Sequence, residues 1–310
     1  MITEKGEVAL LSSTSFQVRI GDEIVNAVIK GKRLKGAPKV VSGAWDKKKA
    51  LLDNSLCVGD LVDLEYESGS WKITGFRERL SSFVRYNFIK RKLQAIGANF
   101  DVLCIVASHC SPEMNSFFVN TALTGLDGKC GIAFVFSKSD LPFSEGDLAV
   151  IDSIRKSGFD AICLSSKSGD GISELRSMIE GRTAMFIGES GGGKSTLLNR
   201  IFGRDIQAVG DLSKKKSTGC HTTTSSVLLC DGPLKVIDTP GIRFVRPLLL
   251  ARAQIEFCFP DLFGIGCKYA DCTHMGEAGC NADAEAASGR VSSLRLDDYR
   301  RMMSADAFLS

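Results

Sequence analysis

MFIGESGGGKSTLLN, residues Met185 to Asn199, is the stretch from which the rest of the chain is read. A short apolar run, Ala184 to Ile187, breaks at Gly188 and again at Gly191, Gly192 and Gly193. Lys194, Ser195, Thr196 and two leucines follow. The pattern is a strand, a turn and the start of a helix, with every fixed position of G-x-x-x-x-G-K-[ST] filled. Glycines let successive backbone N–H groups face inward around a phosphate, and the new helix adds its positive N-terminal end. Gly188, Glu189, Ser190 and the three glycines therefore form a phosphate cradle. Lys194 is the cation that reaches the outer phosphates, and Ser195 is left to ligate magnesium.

Phosphate binding alone does not name the base. Phe136-Ser137-Lys138-Ser139-Asp140-Leu141 directly follows an apolar strand run and approximates the N-K-x-D motif of GTPases. A carboxylate at Asp140 can accept from both the ring N–H and the exocyclic amine of guanine. Adenine lacks that ring N–H and would leave the carboxylate unpaired, a mismatch that can reject the wrong base by roughly 10⁴-fold. A later strand end, Cys163-Leu164-Ser165-Ser166-Lys167, resembles the S-A-K element whose backbone N–H groups contact guanine. An adenine-nucleotide enzyme with a coincidental S-K-S-D is the rival reading.

Beyond the P-loop, Gly219-Cys220-His221-Thr222-Thr223-Thr224 offers a threonine, Thr223 the candidate, to complete a magnesium shell, and His221 as a candidate catalytic group. Asp238-Thr239-Pro240-Gly241 is D-x-x-G: Asp238 can hold magnesium and the Gly241 N–H can bond a γ-phosphate. Ile242 and Arg243 follow where many GTPases place a water-orienting glutamine, so slow intrinsic turnover is expected. Asp140 and Ser165 precede Lys194, and Asp238 comes last. That order is circularly permuted, and it puts the D-x-x-G segment next to the chain that leaves the domain.

The chain of 310 residues is long enough for two or three domains and has an ordinary apolar fraction. Its net charge of +3 hides a local concentration: Lys30, Lys32, Arg33, Lys35, Lys39, Lys47, Lys48 and Lys49 stand against Asp46 alone. That stretch calls for an anionic partner. It lies among five β-rich segments, Glu7 to Leu11, Phe16 to Ile20, Ile24 to Ile29, Leu61 to Tyr66 and Trp71 to Gly75, which suggest a small barrel of OB type. Arg85 to Lys92 is a second basic stretch. From Asp101 onward, strand runs at Val102 to Ala107, Ile132 to Phe136, Ala161 to Leu164 and Thr183 to Ile187 alternate with segments of helical length, the signature of a mainly parallel sheet. No apolar run is long enough to span a bilayer, and the N-terminus shows no signal-peptide core. Eleven cysteines in a chain of this kind point to a reducing, cytoplasmic setting rather than a disulfide scaffold.

Cys267, Cys272, His274 and Cys280 supply a full tetrahedral donor set in a polar segment, suited to one structural zinc. Beyond Ala282 the chain reads as helical, with Arg290, Arg295, Arg300 and Arg301 available for a solvated or RNA-facing surface.

The constellation resembles the ribosome small subunit-dependent GTPases, the RsgA/YjeQ family. The resemblance rests on Val58-Gly59-Asp60, the permuted motif order, the H-T-T-T run at His221 and the C-x4-C-x-H-x5-C pattern ending at Cys280. It implies a multidomain α/β protein: an OB-fold RNA-binding β-barrel over 1–80, a circularly permuted P-loop GTPase domain over 81–248 and a C-terminal zinc-binding helical domain over 249–310. It further implies GTP hydrolysis with magnesium, stimulated by the small ribosomal subunit, during late maturation of that subunit and in contact with its rRNA. A monomer with no membrane partner is expected. An RNA-binding assembly factor gated by nucleotide, with incidental hydrolysis, is the alternative. Three positions depart from the family pattern. Ser137 replaces Asn, and this shorter group is expected to brace the P-loop less well. Cys220 stands where a basic residue is common, and Gly191 is not the Asn of potassium-activated GTPases.

Overall fold

A computed structural model of the chain describes residues 2–12, 15–31, 52–53, 56–87, 92–206, 226–242 and 252–304. His221, Thr223, Cys220 and the basic stretch from Lys32 to Lys49 lie outside the described residues.

The N-terminal strands are β1 (Ile2–Leu11), β2 (Phe16–Ile20), β3 (Glu23–Ile29), β4 (Leu52–Asp53), β5 (Leu61–Glu67) and β6 (Ser70–Phe76). Five of them run in the order β1-β2-β3-β6-β5, and β5 pairs back onto β1 from Glu7↔Leu61 to Ile2↔Tyr66, closing a barrel. β3 and β6 are parallel while the other barrel pairs are antiparallel, the Greek-key arrangement of an OB-fold. Alternate residues point inward, so Val8, Val18, Ala27, Val62, Leu64 and Ile73 fill the interior. Ser68 and Gly69 both have positive φ, as the two-residue turn joining β5 to β6 requires. Gly6 has no room for a side chain: a Cβ there would lie 2.4 Å from Val18 Cγ1.

A buried ion pair fixes the exit from the barrel. Arg79 donates from Nε to Asp60 Oδ1 and from Nη2 to Asp60 Oδ2, both at 2.7 Å, and Asp60 Oδ2 also accepts the Cys57 N–H at 2.7 Å. Next come β7 (Ser81–Asn87) and β8 (Lys92–Ala98), an antiparallel pair. With β10 (Leu126–Gly128) and β4 they make a four-stranded sheet in the order β10-β7-β8-β4. Arg85 and Lys92, the two ends of the second basic stretch, thus lie in paired strands, which the charge concealed.

The main sheet holds β9 (Val102–Ser108), β11 (Gly131–Ser137), β12 (Asp160–Leu164), β13 (Thr183–Gly188), β14 (Val227–Asp231) and β15 (Leu234–Asp238), ordered β12-β11-β9-β13-β15-β14. All pairs are parallel except β14 with β15. β9 and β13 are buried along their whole length, as a strand covered on both faces must be. Helices α3 (Ile172–Ile179) and α4 (Lys194–Phe202) cover one face. The other face takes α1 (Ser116–Thr121), α2 (Glu145–Lys156) and the C-terminal helices α5 (Arg252–Cys258), α6 (Pro260–Phe263), α7 (Ala282–Ala287) and α8 (Ser293–Met303). A capping box of Ser144 and Asp147 starts α2, and Gly203 in the left-handed region ends α4. The main sheet runs on into the barrel through the pair Leu10↔Val227.

Arg295 corrects the surface reading of the C-terminal arginines. It shares the inward stripe of α8 with Tyr299 and Met302, at i+4 and i+7, and is 1% exposed. Its guanidinium pairs with Asp261 at 2.8 Å, donates to Cys258 O and Asn120 Oδ1, and lies over the Phe259 ring. Arg300 is committed to Asp283, and Arg301 covers the ring of Phe117.

Candidate nucleotide site and metal-ligand cluster

Parallel register gathers motifs that are far apart in sequence. Ser137 is level with Ser108 on one side and Leu164 on the other, Gly188 with Val106, and Phe186 with Asp238. The base motif, the second strand-end motif, the P-loop and D-x-x-G therefore emerge together from the carboxyl ends of the strands, where open α/β sheets bind ligands.

In the P-loop, Gly191 and Gly193 hold φ of +82° and +86°, a region other residues enter only with strain. The loop closes through Gly192 N–H to Glu189 O at 3.2 Å. Ser137, 2% exposed, donates its hydroxyl to Gly192 O at 2.8 Å. The serine thus does brace the P-loop, contrary to the expectation from its length, because β11 ends directly beside the cradle. Lys194 is buried, pairs with Asp238 Oδ1 at 2.5 Å and donates to Thr239 O. Gly241 packs on the P-loop so closely that a Cβ would lie 2.9 Å from Ser190 N. Ile242 N–H then bonds Gly188 O at 2.8 Å. Lys194, Ser195, Thr196, Asp238 and Gly241 are in this way brought to one place, as their motifs required.

A cavity of about 240 Å³ opens beside the cradle, lined by Ser137, Lys138, Asp140, Ser166, Lys167 and Thr196 among others. Ser165 donates to Asp140 Oδ1 at 2.6 Å and receives the Lys167 and Ser168 N–H groups at 3.1 Å. The Ser165 hydroxyl holds the Asp140 carboxyl below its usual range, with Lys167 adding to the effect. An ionised Asp140 on an exposed rim is the acceptor a guanine edge needs. Ser139 N–H bonds Leu164 O at 3.1 Å and ties the two strand ends together.

The segment from 109 to 115 also belongs to the site, and the sequence reading passed over it. Lys138 has φ +65°. Its carbonyl meets His109 Nε2 at 2.9 Å, and its ammonium donates to the carbonyls of Cys110 and Ser111 at 2.6 and 2.7 Å. Pro112 touches the space a Gly191 side chain would need. Asn115 caps α1 by accepting the Phe118 N–H and donates to the P-loop Glu189 at 2.9 Å. Backbone carbonyls carry no residue-type signature, so only the Asn115 cap was open to discovery from sequence.

In the C-terminal unit, the ligand atoms of Cys267, Cys272, His274 and Cys280 all lie within 4.8 Å of one another. His274 Nδ1 stands 3.5, 3.7 and 3.9 Å from the three Sγ atoms. Tetrahedral coordination with zinc–sulfur and zinc–nitrogen bonds of about 2.3 and 2.0 Å implies edges of roughly 3.6 Å, so the donor set fits. Glu277 shapes the loop, accepting from the Thr273 hydroxyl and from the N–H groups of Thr273 and Met275; the Thr273 hydroxyl foremost, with the N–H groups of Glu277 itself and of Thr273, lowers its carboxyl to about 2. Tyr299 donates to Thr273 O and Arg300 to His274 O, seating the cluster on α8.

A parallel sheet that presents a P-loop, a D-x-x-G segment packed on it and a guanine-type acceptor pocket, in this motif order, defines a circularly permuted P-loop GTPase. The RsgA GTPase family model matches residues 76–246. The small ribosomal subunit biogenesis GTPase RsgA of Chlorobaculum tepidum is 31% identical, with 97% of each chain covered. RsgA 2 of Bacteroides thetaiotaomicron is 28% identical over 96% of each. YjeQ from Thermotoga maritima superposes with a TM-score of 0.68 at 23% identity over 98% of each chain. YloQ, described as a circularly permuted GTPase, superposes at 0.66 with 18% identity over all of this chain and 96% of its own. The chain belongs to the RsgA GTPase family.

Proposed function

We propose that this protein hydrolyses GTP to GDP and phosphate in late maturation of the small ribosomal subunit, and that the subunit stimulates turnover. The observation that carries the reading is the convergence of Lys194, Asp238, Gly241 and the Asp140 pocket on the carboxyl ends of adjacent parallel strands. Relatives of near-equal length are small ribosomal subunit biogenesis GTPases, which supports the biological assignment.

Within that reading, Asp140 selects guanine, with Ser137, Lys138, Ser139 and Ser165 to Lys167 shaping the pocket around it. The cradle from Gly188 to Gly193 holds phosphates, and Lys194 exchanges its Asp238 partner for phosphate oxygens. Ser195 and Asp238 are the residues that would hold magnesium, which supplies charge neutralisation between the β- and γ-phosphates. The freed Asp238 is then available as a ligand, so one ion pair accounts for both side chains. His221 is proposed as the group that the subunit brings to the reacting phosphate and Thr223 as the threonine that would complete the magnesium shell; partner-supplied groups of this kind can accelerate a GTPase by roughly 10³ to 10⁵. One zinc on Cys267, Cys272, His274 and Cys280 is structural, since four protein ligands leave no open position. The division into units at 1–80, 81–248 and 249–310, monomeric behaviour, rRNA contact by the barrel and a cytoplasmic location complete the proposal. Among the described residues no helix is long and apolar enough to cross a membrane.

The test is phosphate release from GTP and from ATP, with and without purified small subunits. GTP-selective release that rises at least tenfold with subunits is expected on the scale of partner-activated GTPases. Release that is unselective, or unchanged by subunits, overturns the reading.

A further inference from the structure

A second cleft, of about 630 Å³, opens between the barrel and the main sheet at the end of the strands opposite the P-loop. Its floor includes the turn before β9 at Asp101, the entry to β13 at Gly181–Thr183 and the start of β15 at Leu234, and its wall is β1 with the edge of β5. β13 runs from Thr183 to Gly188, so at about 3.3 Å per residue the cleft sits about 17 Å from the phosphate cradle.

Five cations line this cleft: Lys5, Arg19, Arg77, Arg182 and Lys235. The two carboxylates there are Glu7 and Asp101, which leaves an excess of three positive charges, equal to the net charge of the entire chain. Both carboxylates are engaged, Glu7 by Lys235 at 2.5 Å and Asp101 by the Thr183 N–H at 2.8 Å. Arg19 pairs with Asp22, a fully exposed partner and so a weak one, and donates from Nε to Gly21 O at 2.6 Å. Lys5, Arg77 and Arg182 are exposed and meet no carboxylate among the described residues.

The character of the lining selects the occupant. Among the described residues no aromatic side chain faces the cleft, so they offer no platform for a base. It is open to solvent, which suits a strand passing through better than an enclosed small molecule. Guanidinium and ammonium groups on a floor of strand ends are donors matched to phosphate oxygens. We propose that this cleft docks the phosphodiester backbone of an RNA strand, as a surface separate from the nucleotide pocket. The proposal rests on the reading that the partner is the small ribosomal subunit and adds where one of its RNA strands is held.

The experiment uses the full chain and a variant carrying Lys5→Gln, Arg77→Gln and Arg182→Gln. These are exposed positions, where substitutions leave stability within about 0.5 kcal/mol. Binding to purified small subunits, and separately to deproteinised RNA extracted from them, is measured across a potassium chloride series. Each lost phosphate contact removes about 0.7–0.9 from the slope of log K against log salt, so the triple variant should lose about 2–3. Its GTP affinity and unstimulated GTP turnover should match the parent. A control with Lys129→Gln, Lys156→Gln and Arg204→Gln, all exposed and outside the cleft, should keep the parent slope on both probes. An unchanged slope in the triple variant, or an equal loss in the control, overturns the proposal. A loss on subunits but not on deproteinised RNA also overturns it, since the cleft would then meet a protein. If the parent fails to bind subunits but binds extracted RNA, the maturation reading falls while the RNA arm still decides the cleft.

Discussion

Ser137→Ala tests the reach of the shortened base motif. The hydroxyl makes a 2.8 Å bond to the buried carbonyl of Gly192, and no other donor to that oxygen is present among the described residues. Alanine removes the donor, keeps the volume nearly constant and leaves the carbonyl unpaired, at a cost of about 1–3 kcal/mol. That cost divides between two readouts. The part that the P-loop bears without nucleotide lowers the midpoint of thermal unfolding, by roughly 2–4 °C for each kcal/mol in a domain of this size. The part borne only when the cradle must be ordered around phosphates weakens GDP and GTP binding, each 1.4 kcal/mol being about tenfold. Calorimetric titration with GDP, paired with a melting curve of the nucleotide-free protein, gives both terms. Their sum should fall at about 1–3 kcal/mol, with guanine selectivity over adenine retained because Asp140 is untouched. A sum within about 0.3 kcal/mol of zero would refute the argument that this serine braces the loop, since it lies below the range for an orphaned buried acceptor.

Four other outcomes follow from the same geometry. Asp140→Asn exchanges a pure acceptor for an amide, so GTP binding should fall by roughly 10²-fold or more, while xanthosine triphosphate, whose exocyclic oxygen accepts the new N–H, should bind better than to the parent; competition binding decides, and equal GTP affinity would dismiss Asp140 as the base reader. Asp60→Ala leaves the Arg79 guanidinium buried at 1% exposure beside a lost bidentate partner and should destabilise by about 3–5 kcal/mol, read as a lower melting midpoint with nucleotide selectivity intact. Chelation of zinc, or Cys272→Ser, should remove one metal equivalent and on the order of 10 kcal/mol of local folding free energy, seen as loss of hydrogen-exchange protection confined to the segment around 265–300. Burial pushes the Asp298 carboxyl up despite the bond from Asn120, so the native state holds its proton to higher pH than the unfolded chain does. Its stabilising effect is therefore present at acid pH and declines as pH rises from about 4 through the raised value, and Asp298→Asn should flatten the melting temperature across that window.

The sequence exposed the parts of this protein whose chemistry is written in residue type. Glycines at required positive φ, a lysine at the new helix, an acid after a strand and three thiols with one imidazole all carry their function locally, and each arrives where its spacing implied. Strand runs such as Phe16–Ile20 were legible because alternation or continuous burial is a local pattern. What stayed hidden depends on partners distant in the chain. The β7–β8 hairpin has its register set by β10 and by Leu52–Asp53, and its basic residues masked its pleat. Arg295 looks solvated until Asp261, Asn120 and the Phe259 ring are brought around it. Ser137 looked too short only because the distance from β11 to Gly192 is a property of the sheet, not of the motif.

The permuted order acquires its mechanical sense from α1. In this arrangement the chain leaves the nucleotide site at Gly241 and Ile242, which are packed on Ser190 and bonded to Gly188, and enters the C-terminal unit. That unit then returns to the nucleotide domain by a second route. At one end of α1, Asn115 holds the P-loop through Glu189. Near the other end, Asn120 donates to Asp298 at 2.7 Å and accepts from Arg295, both on α8. Six helical residues make a rod of about 9 Å, with Phe118 and Val119 buried along it. α8 also seats the cysteine–histidine cluster through Tyr299 and Arg300. The P-loop and the metal-ligand loop are consequently joined by one covalent path through D-x-x-G and one hydrogen-bonded path through α1. Moving the P-loop relative to α8 must break either the Asn115 contact with Glu189 or the Asn120 contacts, the latter buried and costly to leave unmade. The hydrogen-bonded route therefore ties α8, and the cysteine–histidine loop seated on it, to the P-loop at a point remote from the covalent connection.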